Sequence, residues 1–77
     1  MLLLTGRKEK PPAVNTYKVS FVGNNGEADV LVESNINHLD EETSNVIIDE
    51  GIKIGYLIHG EDFRDRLDTY AITAMPV

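Results

Sequence analysis

The residues of this chain that could do chemistry are few in kind: two histidines, His38 and His59, thirteen carboxylates, and no cysteine. A histidine that holds a metal needs a second ligand at fixed spacing, commonly another histidine four residues on along a helix. Neither His38 nor His59 has one, so both read as exposed or hydrogen-bonded imidazoles and neither as a catalytic base. Carboxylates work as an acid and base pair only where two environments split their pKa values, and nothing in the spacing here marks such a pair. Asp62, Asp65 and Asp68 tempt a calcium reading but lack the Asp-x-Asp-x-Asp-Gly order and closing Glu of a calcium loop. Gly51, Gly55 and Gly60 do not form a phosphate-cradling loop. The expectation is a protein without enzymatic activity, cofactor or metal.

What remains is charge. Residues 1–18 hold Arg7, Lys8, Lys10 and Lys18 against Glu9, a net of +3, whereas residues 19–77 hold Lys53, Arg64 and Arg66 against twelve acids, a net of -9. Together these give the whole-chain value of -6. Self-repulsion at that density works against a compact state, so the excess asks for a reason beyond solubility. A body this acidic repels phosphates, which argues against direct nucleic-acid binding.

At 77 residues there is room for one small domain near the lower limit for a self-sufficient core. With no Trp, two Phe and three Tyr among 42% hydrophobic residues, that core must be mainly aliphatic. The absence of cysteine excludes a disulfide framework and makes a reducing compartment, the cytoplasm, the economical expectation. In MLLLTGRKEKPPAV the apolar run is Leu2 to Leu4 with the bases after it, which fits neither a signal peptide nor a membrane span. Pro11-Pro12 favours an extended conformation. Residues 1–14 therefore read as an arm, frayed or gripping an edge or a second copy, and 15–77 as a single domain.

The elements follow from periodicity. TYKVSFV and EADVLVES alternate apolar and polar residues around GNNG, a hairpin signal. A type I′ turn at Asn25-Gly26 would set Phe21 opposite Val30, Val19 opposite Val32 and Lys18 opposite Glu33, with Tyr17, Val19, Phe21, Ala28, Val30 and Val32 on one face. Asp40 is placed to cap a helix over 41–50, with Gly51 as its left-handed stop. Leu39, Thr43, Val46 and Ile47 then face the core, Glu41, Glu42, Asn45 and Asp49 lie opposite, and Ile48 falls beside the acids. A competing reading turns NVIIDEGIKI into a hairpin around Asp49-Glu50-Gly51. Ile52, Ile54, Tyr56 and Ile58 alternate as a third strand, and Tyr70, Ile72 and Ala74 as a fourth. GEDFRDRL between them is a polar connection with one helical turn, in which Asp62 and Arg66 are spaced for an i,i+4 pair. The result is an α+β fold, a small antiparallel sheet of β-β-α-β-β order with one helix on one face. The second sheet face would show Val22, Leu31, Leu57 and Met75, enough apolar surface for a homodimer.

Asp40, Glu41 and Glu42 need no function at a helix N-terminus, where the macrodipole favours them. Asp49 and Glu50 would stand at the opposite end, where it does not. Asp49 and Glu50, with Ile48 beside them, together with Asp40, Glu41 and Glu42 and with Glu61, Asp62, Phe63, Asp65 and Asp68 of the second cluster, form the candidate partner-binding surface. Phe63 either turns inward to plug the core or projects as an apolar anchor within an acidic rim. In size, absence of cysteine and the carboxylates of 40–50 and 61–68, the chain resembles, at class level only, the small acidic DNA-mimic inhibitors of bacteriophages and mobile elements. The resemblance implies a basic DNA-binding partner, such as an HU-type nucleoid protein, a polymerase subunit or a defence nuclease, in a bacterial cytoplasm. It rests on no diagnostic motif, so no residue role carries over. The alternative is a small homo-oligomeric structural or adaptor module without enzymatic activity.

Overall fold

The computed structural model describes residues 14–77. The expected arm therefore lies outside the described residues, except for Val14, which is exposed. Five elements follow in order: β1 (Asn15–Gly23), β2 (Gly26–Ser34), α1 (Glu41–His59), α2 (Phe63–Leu67) and β3 (Thr69–Pro76). The strands form an antiparallel sheet with β1 in the middle, β2 on one side and β3 on the other. Helix α1 lies along one face; at 1.5 Å per residue it is about 28 Å long, matching a nine-residue strand of about 30 Å. The α+β class holds, but among the described residues the sheet has three strands, not four.

The hairpin forms with its inner face as expected. Tyr17, Val19, Phe21, Val30 and Val32 are buried and Ala28 is packed against them. At about 1.5–3 kcal/mol for each large apolar side chain taken from water, this face is the largest contributor to stability. Its register differs from expectation by two residues: Phe21 pairs with Ala28, Val19 with Val30 and Lys18 with Leu31. The loop is Asn24-Asn25, and neither residue has a positive φ, so the turn is not the primed type. Because side chains alternate with period two, a shift of two residues changes every partner and no face. The cause lies outside the hairpin. The N–H groups of Asn24 and Asn25 donate to the carbonyls of Asp68 (3.2 Å) and Leu67 (3.0 Å), so the α2–β3 connection holds the turn. Gly23 makes this approach feasible, since a Cβ there would stand 2.0 Å from the Leu67 carbonyl oxygen.

The larger correction concerns Gly51. The helix does not stop there, and IKIGYLIH is neither a third strand nor one arm of a hairpin; it is the second half of α1. Residues 47–58 satisfy both periodicities, and burial decides between them. Ile47, Gly51 and Gly55, four residues apart, form the buried row of α1. A Cβ on Gly51 would stand 2.7–2.9 Å from the Val19 side chain, and one on Gly55 would stand 2.6 Å from the Phe63 ring. The two glycines let the helix backbone settle onto the sheet. Apolar burial offsets their helix-propensity cost of about 1 kcal/mol each. Gly60 ends the helix instead, with φ 98° and its N–H donating to the Tyr56 carbonyl. This longer helix turns its buried row away from Val46, which is 49% exposed. Leu57 stands on α1 and is 84% exposed, so it does not belong to the second sheet face.

Phe63, the first residue of α2, closes the far end of the core. It is 2% exposed, edge-on to Phe21 (5.0 Å between centroids) and to Tyr56 (5.4 Å), and stacked on His59. At the other end the Tyr17 hydroxyl donates to the Ile36 carbonyl, tying the β2–α1 connection to the sheet.

Replacing a helix-interior glycine with alanine normally stabilises by about 0.5–1 kcal/mol. At Gly51 the overlap with Val19 should reverse the sign, overpacking of this kind costing about 1–3 kcal/mol. Thermal melts followed by circular dichroism should therefore show a lower midpoint for Gly51→Ala and an unchanged or higher one for Asn45→Ala on the exposed side. An unchanged or higher midpoint for Gly51→Ala would contradict the packing described.

Candidate functional site

The carboxylates sort by the element that carries them. Asp40 is the N-cap of α1 within a capping box: its Oδ1 accepts from the Thr43 N–H at 2.9 Å, and its own N–H donates to Thr43 Oγ1 at 2.8 Å. The Thr43 backbone N–H, then the Thr43 hydroxyl, hold the Asp40 carboxyl below its ordinary pKa. His38 approaches to 3.5 Å. Glu41 and Glu42 occupy the first turn, exposed, where the helix dipole favours them. Local structure accounts for this group in full.

Asp49 and Glu50 do not stand at a helix end. They lie midway along the 19-residue α1, both exposed, and Glu50 is 3.8 Å from Lys53 one turn on. The dipole acts within the terminal turns only, so the penalty expected from a stop at Gly51 does not exist. Their claim on function reduces to exposure. On the helical wheel Asp49 joins Glu42 on the outward ridge, seven residues or about 10.5 Å apart along the axis. Ile48, next to Asp49, is half-buried.

The second cluster sits where α1 ends and α2 begins. The i,i+4 pair forms as expected, Arg66 Nε donating to Asp62 Oδ1 at 3.1 Å, and Arg66 Nη2 also reaches the His59 carbonyl at 2.6 Å. Asp68 adopts a left-handed conformation (φ 56°) after α2 and accepts from Asn24 Nδ2 at 2.6 Å. Its role is a chain reversal held against the hairpin turn. Glu61 and Asp65 are exposed and make no salt bridge among the described residues. Phe63 takes the inward of its two readings; buried in the core, it offers nothing to a partner.

A third row was passed over in the sequence. With Ala28, Val30 and Val32 pointing inward, Glu27, Asp29 and Glu33 on β2 must point outward, and all three are exposed. Consecutive outward residues of a strand stand about 6.8 Å apart. The alternation that identifies the strand already implies this row, although its acids are spread along the strand and form no dense run in the sequence. Asp29 accepts from Ser20 Oγ at 2.8 Å across the sheet.

A shallow hollow of about 410 Å³ is lined by Tyr56, Arg64, Asp65, Asp68 and Thr69. It sets one guanidinium and two carboxylates around one hollow, with the hydroxyls of Tyr56 and Thr69 also in its lining. Among the described residues no three His, Asp or Glu side chains converge as a metal site, and no helix is long and apolar enough to cross a membrane. No family model, curated protein or solved structure matches the chain.

The cap yields a pH prediction. A carboxyl whose folded-state pKa lies below its unfolded value contributes stability above the unfolded value, and that contribution is lost as pH falls through the folded one. Asp40→Ala should therefore lower the melting midpoint at pH 7, and the gap from the parent protein should shrink as pH drops below the ordinary carboxylate range. Asp40→Asn, which keeps a capping acceptor, should lose less than Asp40→Ala at pH 7. Melts at pH 7 and in acid check this; a gap independent of pH would contradict it.

Proposed function

We propose that this chain is a non-enzymatic, acidic protein-binding inhibitor that mimics DNA charge and occupies the DNA-binding surface of a basic protein, for example a nucleoid protein of the HU type. The observation that carries the reading is the exposure of every carboxylate in the described body. Glu27, Asp29, Glu33, Asp40, Glu41, Glu42, Asp49, Glu50, Glu61, Asp62, Asp65 and Asp68 are all exposed, against four bases, Lys18, Lys53, Arg64 and Arg66. Only Asp62 and Glu50 make carboxylate pairs with Lys or Arg among the described residues. The remaining negative charge is uncompensated by neighbouring side chains and faces solvent.

Seven of these acids stand on the strand β2 or the helix α1, so little backbone ordering would accompany their engagement. Glu27 and Asp29, about 6.8 Å apart along β2, are separated by roughly two phosphate steps of a DNA strand, each about 3.4 Å along its axis. The ridge of α1 sets a second row on the opposite side of the molecule. Fixed negative rows of this kind steer a cationic partner and favour it over neutral ones. On this reading the protein acts in the cytoplasm, that of a bacterial host if a phage carries it.

Capture of partners from bacterial lysate, followed by competition with duplex DNA on the purified partner, tests the proposal. The partner should be a basic DNA-binding protein, duplex DNA and this chain should exclude one another, and affinity should fall by at least about tenfold between about 50 and 200 mM salt. A stable ternary complex with DNA would overturn mimicry. Charge-removing variants then assign the surface: Glu27→Gln/Asp29→Asn/Glu33→Gln probes the strand row, and Asp49→Asn/Glu50→Gln the helix row. At least one should weaken binding while leaving the melting midpoint essentially unchanged, because these side chains are exposed; full affinity in both at low salt would exclude both rows.

A further inference from the structure

The two outer strands of the sheet differ sharply in charge. Strand β2 carries Glu27, Asp29 and Glu33 on its outward face, the kind of guard that keeps an edge from pairing with another chain. Residues 69–77, TYAITAMPV, contain no charged residue. Tyr70 (68%), Met75 (41%) and Val77 (78%) are exposed along this stretch. It is the longest uncharged stretch in a body otherwise dense with carboxylates.

We infer that β3 is a self-pairing edge, through which a second copy of this chain extends the sheet in an antiparallel, two-fold arrangement. The hydrogen-bond pattern sets the register. Val77 N–H donates to the Thr16 carbonyl at 3.1 Å, and Lys18 pairs with Met75, Ser20 with Thr73 and Val22 with Ala71. Bonding direction alternates along an antiparallel strand. Ala71, Thr73 and Met75 therefore turn their backbone groups to β1, and Ile72 and Ala74 turn theirs away from it. Pro76, which has no N–H to offer, falls in the same outward set, where a strand tolerates proline.

A two-fold axis at Thr73 sets Ile72 opposite Ala74 of the second copy and Ala74 opposite its Ile72. Each of these pairs exchanges two backbone hydrogen bonds, so the outward N–H and C=O groups of both residues are satisfied in both copies. Thr73 then faces its own equivalent, a favourable cross-strand pair, and Met75 faces Ala71. Charge restricts where a second copy can meet the first. The described body carries twelve acids against four bases, so two copies approaching through β2 or the outward ridge of α1 would set carboxylate against carboxylate. Residues 69–77 bring no charged side chain to such a contact.

Sedimentation equilibrium across a concentration series, combined with amide hydrogen exchange, tests the inference. Mass should rise from 8.6 kDa to twice that value, and the amides of Ile72 and Ala74 should become protected in step with it. Those of Ala71 and Thr73, bonded to β1, should be protected throughout. Thr73→Glu and Thr73→Lys each place like charges across the axis on an exposed position, so both should remain at 8.6 kDa with cooperative unfolding preserved. A parent protein that never doubles in mass overturns the inference. So does doubling without concentration-dependent protection of Ile72 and Ala74, which would assign the contact to another surface, and so does protection of those amides at every dilution. Tighter association of Thr73→Lys would also overturn it, by showing that charge attraction to the acidic body drives assembly.

Discussion

The contact between Gly51 and Val19 sets the distance at which the helix lies on the sheet, and most of the architecture depends on that distance. With no side chain at Gly51 the α1 backbone comes down onto the fully buried Val19. Gly55, one turn on, leaves the space that the Phe63 ring fills. The helix therefore cannot end at residue 50. Its second half must run the length of the sheet to bring Tyr56 and His59 over Phe63, and only then does Gly60 release the chain. A core with one long helix and no tryptophan holds together because its layers meet this closely and one aromatic from α2 closes the end.

How much of this the sequence disclosed depended on whether a pattern had one physical reading. The hairpin faces were legible because alternation of period two survives an error of register, and the loop moved from Asn25-Gly26 to Asn24-Asn25 without turning any side chain over. The cap at Asp40 was legible because capping is local chemistry. The second half of α1 was not. Ile52, Ile54, Tyr56 and Ile58 fit a strand, and a glycine after an apolar run resembles a helix stop. The deciding fact was Val19, more than thirty positions away in the sequence, against which only a glycine fits. Misplacing that end also set Asp49 and Glu50 against a helix dipole that they do not meet, while the correctly identified strand already implied the outward row of Glu27, Asp29 and Glu33.

The surface follows a division of labour. Among the described residues no charged side chain is buried, and the core is held by apolar contact and backbone hydrogen bonds. Several acids serve local structure: Asp40 caps a helix whose first turn holds Glu41 and Glu42, Asp62 holds Arg66, Asp68 turns the chain beneath Asn24, Asp29 accepts from Ser20 and Glu50 approaches Lys53. Glu27, Glu33, Asp49, Glu61 and Asp65 have no such role among the described residues, and all the acids add to the self-repulsion of the body. A small domain carrying that burden depends strongly on the cooperation of its apolar layers, since little stability remains in reserve at this size.

The position of β1 has a kinetic consequence. Its first neighbour, β2, follows at once through a two-residue loop, but its second, β3, pairs Ile72 with Phe21 only after about fifty intervening residues. The hairpin is a local structure of the kind that closes within microseconds, whereas the central strand acquires its second partner through one of the least local contacts in the domain. During synthesis from the N-terminus, β1 and β2 emerge early and the middle strand waits with one side open until α1, α2 and β3 have followed. Of the described strands, the last to be made completes the first, so the three-stranded sheet reaches its full width only after residue 76 has been synthesised.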